Sequence, residues 1–405
     1  MSATPPPSDE LTKFFALPPA LARAAEPSRE SLYVGNAEKN LYAARERRLA
    51  HLRDPVTRKA IDRATERLTN IAHPDLDYIA IRSPFIYGRQ LAPAPGGDTD
   101  DVATLPPPLS RVLRRKNQHA IALYLTLLFV RQMLAFRAGT GDADAVTPRR
   151  RKAVFNVDGA PSEASLIGLP STDRRNQRRV FNRALDALQN AELIDYGPDG
   201  AQRYATYRLN REDGSGHAYT APAGDPDSFA YLCLPVGFIT AGWPMILTPS
   251  ELATFLAICH FADRKLPRNP DGESPRLVYL AKSQRDNHFG LSDEAYESIH
   301  TLAEFKLIAV HDTMEGRRRG RISPERTGGK RHDPYLLDPI VLGGFPSHDR
   351  AFNLDAFKQP AIDTAIDRLN WPIPRYAIWS GSSRASDDAR AARAAKKKTS
   401  APQPR

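Results

Sequence analysis

The sequence is poor in cysteine: Cys233 and Cys259 are its only two in 405 residues, and neither has a CxxC or CxxH neighbour. That argues against a disulfide framework or a cysteine zinc site and leaves two buried free thiols as the simpler reading. Long apolar runs are absent too. The longest, Ala120 to Val130, contains Tyr124 and Thr126, is too short for a bilayer, and reads as a core helix. The N-terminus, MSATPPPSDE, has no basic start followed by an apolar segment, so no secretory signal is visible and a cytoplasmic location is expected. No GxxxxGK phosphate loop occurs, because Thr327-Gly328-Gly329-Lys330 lacks the upstream glycine and a following Ser or Thr. His311-Asp312, His332-Asp333 and His348-Asp349 are scattered pairs without the further cluster a metal nuclease needs. The expectation is therefore no enzyme, no cofactor and no metal.

Positive charge is plentiful and concentrated. The net charge is +10, but Arg149 to Arg183 carries +6, Glu315 to Arg331 +5 and Ser380 to Arg405 +5, so the remainder of the chain is −6. Concentrated positive charge is what a polyanion-binding surface requires, and a nucleic acid is the obvious partner. With 41% hydrophobic residues there is also ample material for more than one core.

Leu166 to Arg208 organises the rest. Gly168-Leu169-Pro170 is a helix break, and Ser171 or Thr172 can cap the long helix beyond it. Phe181, Ala184, Leu185 and Leu188 recur at helical spacing and face a core. Opposite that stripe fall Arg175, Arg179 and Arg183, with Asn176 and Asn182 on the flanks and Arg174 and Arg178 nearer the core side. Such a row suits a major groove, where Arg reads guanine and Asn reads adenine in bidentate fashion; the alternative is a solvated face of a surface helix. After Leu193-Ile194 the chain turns at Gly197-Pro198-Asp199-Gly200 and resumes as Arg203-Tyr204-Ala205-Thr206-Tyr207-Arg208, a β-favouring stretch in which Arg203 is a candidate DNA contact. Short helix, turn, long helix and hairpin together spell a winged helix.

The flanking chain divides by composition. Residues 1–36 read as a disordered leader rich in Pro and Ala. Residues 37–92 read as a helical arm, with Asp54-Pro55 between its two helices and Leu41, Leu49, Leu52, Ile61, Leu68 and Ile71 as apolar sides. A Pro/Gly-rich linker comes next. Residues 109–211 form the first winged-helix domain, opened by one helix over Leu109 to Phe136 whose basic start, Arg111 to Lys116, opposes the helix dipole; Gly139 to Ala160 reads as an insertion.

A second copy occupies 229–345. Thr248-Pro249-Ser250-Glu251 is a capping box, and Lys282 to Phe289 is a helix stopped at Gly290-Leu291. Ile299, Leu302, Leu307 and Ile308 align with Leu185, Leu188, Leu193 and Ile194 at a constant offset of 114 residues. Asp293, Glu294, Glu297 and Glu304 occupy the exposed side of its long helix, so this copy is a poor reader of bases. Its basic charge lies in the wing: Arg317, Arg318, Arg319, Arg321, Lys330 and Arg331. Residues 346–379 add a helical extension, and 380–405 a basic disordered tail.

Two winged-helix units with Gly-Leu breaks, Leu-x-x-Leu helices and Leu-Ile wing entries resemble the tandem winged-helix replication initiators of plasmids and other mobile elements. The high Arg, Ala, Pro and Asp content resembles that of a GC-rich bacterial genome. The resemblance implies a mainly α fold with small β wings, double-stranded DNA as partner, a nucleoid- or plasmid-associated location and a homodimer as one arrangement open to the chain. Two other functions share the pattern: a winged-helix transcription regulator, and an assembly or scaffold protein that binds protein. In the initiators the second unit is often the stronger sequence reader, whereas here the Arg-rich helix lies in the first.

Overall fold

The computed structural model describes residues 36–90, 104–137, 151–152, 163–170, 173–196, 203–204, 206–222, 231–265, 277–311, 335–339 and 357–370. The chain falls into two units: Met1–Arg47 with Pro374–Arg405, and Arg48–Ile373. Of the first, only the opening of helix α1 (Asn36–Arg53) is described. The expected tail and, apart from Asn36, the expected leader lie outside the described residues.

The larger unit is mainly helical with small antiparallel sheets. Helix α2 (Pro55–Ile71) starts where the sequence says it should. Proline opens it, and the Asp54 carboxylate accepts from the Thr57 backbone N–H and hydroxyl, both at 2.9 Å. These bonds hold the Asp54 carboxyl below its ordinary pKa. Its buried stripe is Thr57, Ile61, Ala64 and Leu68.

Strand β1 (Tyr78–Arg82) pairs antiparallel with β7 (Tyr231–Pro235). From Arg48 on, the residues read as a separate arm therefore share one core with the second copy, and the boundaries expected at 92 and 229 do not separate bodies within this unit. The reason is burial. Ile79, Ile81, Leu232 and Leu234 are all buried, and neither strand could keep such side chains in water alone. Across the expected linker, β2 (Arg89–Gln90) pairs with β3 (Thr104–Leu105).

The single helix expected over Leu109–Phe136 is two, α3 (Pro108–Arg114) and α4 (Ala120–Arg137). Lys116, at φ 51°, turns the chain between them, and Asn117 Oδ1 caps α4 by accepting from His119 N and Ala120 N. Arg111 and Arg114 thus sit in the last turn of α3, where they complement the helix dipole instead of opposing it. Helix α4 is long and apolar enough to cross a bilayer by composition, but 78% of it is buried inside the protein, which makes it a core helix. Its Gln132 covers the free edge of β1: Oε1 accepts from Ala80 N, and Nε2 donates to Ala80 O and to Tyr219 Oη.

The first copy continues with β4 (Arg151–Lys152), α5 (Glu163–Leu166), α6 (Arg174–Asn190), β5 (Ile194–Tyr196) and β6 (Thr206–Leu209). Its sheet runs β4-β6-β5, with Tyr207 opposite both Arg151 and Tyr196. The stretch read as an insertion therefore contributes an edge strand.

The second copy repeats the plan. It comprises α7 (Val236–Thr240), α8 (Trp243–Ile246), α9 (Pro249–Lys265), a bridge at Val278, α10 (Lys282–Gln284), α11 (Asp293–Tyr296), α12 (Ile299–Glu304), β8 (Ala309–His311) and β9 (Leu336–Asp338). Leu337 lies opposite both Val278 and Val310, so the strand order matches that of the first copy. The expected capping box is formed, with Thr248 N donating to Glu251 Oε2 and Glu251 N to Thr248 Oγ1. The helix expected over Lys282–Phe289 is one turn of α10 followed by a π-helical turn, Arg285–Phe289. Helix α13 (Ala361–Asn370) packs on α8.

Backbone detail repeats at the offset of 114. Glu192 and Lys306 take φ 63° and 60°, and Leu193 N→Leu188 O and Leu307 N→Leu302 O are both 3.0 Å. A further repeat precedes these: Tyr78-Ile79-Ala80-Ile81 with Phe85-Ile86 recurs as Tyr231-Leu232-Cys233-Leu234 with Phe238-Ile239, 153 residues on. Contacts between the copies are reciprocal, since α8 packs on α4 as α3 packs on α9. The copies are thus related by a local two-fold at the β1/β7 ribbon, as in an isologous dimer.

Candidate nucleic-acid interface

Helix α6 begins at Asp173, not at the expected Ser171 or Thr172, which lie outside the described residues. Asp173 Oδ1 accepts from Arg175 N and Asn176 N, both at 3.0 Å, satisfying two of the helix's unpaired donors. The expected core stripe holds: Phe181, Ala184, Leu185 and Leu188 are buried, joined by Ala187. Compared with its counterpart, the first copy carries eight more residues between the Gly-Leu break and this stripe; three lengthen the turn and five extend the helix, Arg174 to Arg178, by roughly 7–8 Å.

That added length carries Arg174, Arg175, Asn176 and Arg178, while Arg179 and Arg183 lie where the second copy has Asp293 and Glu297. Arg174, Arg175, Arg178, Arg179 and Arg183 are all exposed, as is Asn176. Arg174 and Arg178, expected nearer the core side, are solvent-facing because the extension projects past the packed stripe. Among the described residues no carboxylate pairs with Arg174, Arg175 or Arg183. Arg179 Nη2 donates to Asn176 Oδ1 at 2.8 Å, an alignment within the face itself. Asn182 is half-buried, so it is set back from the row, and its Oδ1 has no hydrogen-bond partner among the described residues.

The start of α6 is held by a side-chain bond and faces a cavity. Gln177 Nε2 donates to Leu169 O at 3.0 Å, holding the turn. The N-terminus of α2 lies alongside, and between them is a cavity of about 330 Å³ lined by Asp54, Val56, Leu169, Pro170, Asp173, Asn176, Gln177 and Val180.

Arg203 departs from expectation. Its guanidinium donates to Tyr196 Oη, lies 3.5 Å from Asp186 and packs over the rings of Tyr196 and Tyr204 at 4.7 and 5.4 Å. Its guanidinium is thus engaged by these groups at the protein surface. Arg208 is held similarly, 3.5 Å from Asp195 across the hairpin.

No family model, characterised protein or solved structure matches the chain.

The second copy presents the opposite chemistry on the equivalent surface. Its long helix is broken between α11 and α12, and Asp293, Glu294 and Glu297 are exposed; Glu304, expected among them, is half-buried. Asp293 is engaged by Arg285 at 2.9 Å and Lys282 at 3.3 Å, and the Arg285 guanidinium lies 4.1 Å from the Tyr296 ring centre. The expected wing residues Arg317, Arg318, Arg319, Arg321, Lys330 and Arg331 lie outside the described residues. Among the described residues no group of three or more His, Cys, Asp or Glu could hold a metal.

Sequence reasoning missed Asp186, Tyr196 and Tyr204. The signal was present in outline: Asp186 extends the Arg179–Arg183 row, and the tyrosines flank the Gly-Pro-Asp-Gly turn. The neighbourhood of α2 and α6 had none, because no local pattern brings Asp54 beside Asn176.

Proposed function

We propose that the chain binds double-stranded DNA sequence-specifically through two winged helices, with α6 as the helix that enters the major groove. The observation that carries this reading is the arginine face of α6: five exposed guanidiniums with the carboxamide of Asn176 among them, on a helix whose buried residues lie on its other side. Arginine presents two donors to guanine O6 and N7, and asparagine pairs with adenine N6 and N7, so such a face can distinguish base pairs as well as neutralise phosphates. The shared element order in both copies, with an edge strand, two helices and a hairpin after the first long helix, supports the winged-helix assignment.

Within that reading, the tandem arrangement favours a plasmid or mobile-element replication initiator acting on repeated sites at an origin, in the cytoplasm. The acidic face of the second copy fits a supporting or pairing role there better than base reading. Selection of bound sequences from random duplex oligonucleotides tests the proposal: enrichment of a defined motif supports it. Recovery of random sequence with no salt-dependent mobility shift would refute it in favour of a protein-binding scaffold.

A further inference from the structure

We infer that Asp186 is the positioning residue that fixes the wing relative to the reading helix. Asp186 projects from α6, and its carboxylate gathers both arms of the hairpin. Oδ1 accepts from Tyr196 Oη at 2.9 Å, Oδ1 and Oδ2 accept from Tyr204 Oη at 2.8 and 3.0 Å, and Arg203 Nη2 lies 3.5 Å away. Tyr196 belongs to β5, while Arg203 and Tyr204 lead into β6, so one side chain of the helix holds the two sides of the wing together. A neighbouring bond does the same for the backbone: Tyr196 N donates to Gln189 Oε1 at 3.1 Å.

The placement calls for explanation, because Asp186 comes after Arg179 and Arg183 along the face meant for phosphate. An uncompensated carboxylate there repels DNA. Three donors converging on it quench that charge and convert the residue into a fastener. The equivalent position of the second copy also meets its hairpin. The residue 114 further on is His300, whose ring meets that of Tyr335 edge-on at 5.8 Å, and Tyr335 leads directly into β9. In both copies this helix position reaches the turn end of the hairpin, with different chemistry each time.

The side chains of Asp186 and Arg203 are 36% and 37% exposed, so their pairing is solvent-screened and its removal leaves the fold standing. What it sets is an angle. The consequence for DNA rests on the function proposed above, but the geometry does not, and the test separates the two. Full-length protein carrying Arg208→Cys, whose site on β6 is 34% exposed, takes a nitroxide selectively, because Cys233 and Cys259 are 2% and 0% exposed. Asp186→Ala is expected to speed the label's motion several-fold with the thermal midpoint nearly unchanged, and Asp186→Glu to restore the parent spectrum. On the selected duplex, Asp186→Ala is expected to lose roughly tenfold in affinity, the equivalent of about one charge-assisted hydrogen bond, and to shorten the footprint at one end while keeping the central base preference. Label motion in folded Asp186→Ala equal to that of the parent overturns the inference. If the parent binds no duplex at all, the DNA-binding reading falls, and the label measurement still decides the role of Asp186.

Discussion

Ala80 lies directly opposite Cys233 in the β1/β7 ladder, and the two are equivalent residues of the two copies. The local two-fold therefore passes between them. The copies also exchange contacts at their turns: a Cβ on Gly168 would come within 3.0 Å of Met245 Sδ from α8, and one on Gly290 within 2.5 Å of Ser110 Cβ from α3.

Those glycines are expected to resist substitution. Both have positive φ, +67° and +61°, and neither has room for a methyl group. Gly168→Ala and Gly290→Ala should each destabilise by about 1–3 kcal/mol, with Gly290 the worse because its closest neighbour is nearer. Urea unfolding of the two variants measures both the loss and the ranking.

Arg175→Ala combined with Arg179→Ala should abolish or relax sequence preference while leaving much of the nonspecific affinity, since each lost base contact costs about 1–3 kcal/mol of discrimination. Competition between selected and random duplex reads this directly. An unchanged preference would mean that α6 is not the reader.

Removal of Ala385–Arg405 should act oppositely. That segment is basic and rich in alanine, so on the proposed function its contacts would go to phosphate. Affinity should fall for all sequences alike, and the plot of log affinity against log salt should become shallower. Titrations at several salt concentrations distinguish the two behaviours.

His119 gives the fold an acid sensitivity. Burial, with a smaller effect from His51, lowers its pKa from 6.5 to about 4. A histidine whose folded pKa is depressed takes up its proton in the unfolded chain first. Stability from this group is thus complete above pH 6.5 and is lost as pH falls toward about 4, on the order of 2 kcal/mol in all after allowing for partial exposure. His119→Asn should flatten the pH dependence of the unfolding midpoint across that window.

Glu212 is wholly buried against Arg82, which also donates to Thr220 O at 2.9 Å and lies over the Tyr219 ring. Burial raises the Glu212 carboxyl above its usual range, against the pull of Arg82. Glu212→Ala would leave a buried guanidinium without its counter-charge, and a loss of about 3–5 kcal/mol is expected in chemical denaturation. Arg82→Met paired with Glu212→Leu should recover much of it.

Much of the frame was legible in the sequence. The apolar spacing of Phe181 to Leu188 located the core side of α6, the constant offset of 114 found the repeat, and the Thr248 and Glu251 pattern fixed the start of α9. What escaped were features set by distant chain. A strand such as β1 declares its partner only through tertiary pairing, although its likeness to β7 was there to be seen. The break at Lys116 lies between two stretches of good helix formers, with only Asn117 to mark it. Charge in a hairpin reads as a DNA contact, and no local pattern in the sequence shows that Arg203 lies 3.5 Å from Asp186.

A homodimer with a true dyad presents itself identically from either end. Here the scaffold keeps the two-fold frame, but an arginine-studded helix belongs to one copy and exposed carboxylates to the other, so the halves are not interchangeable. A duplex bound as proposed above would acquire a polarity, upstream distinguished from downstream, within a single polypeptide.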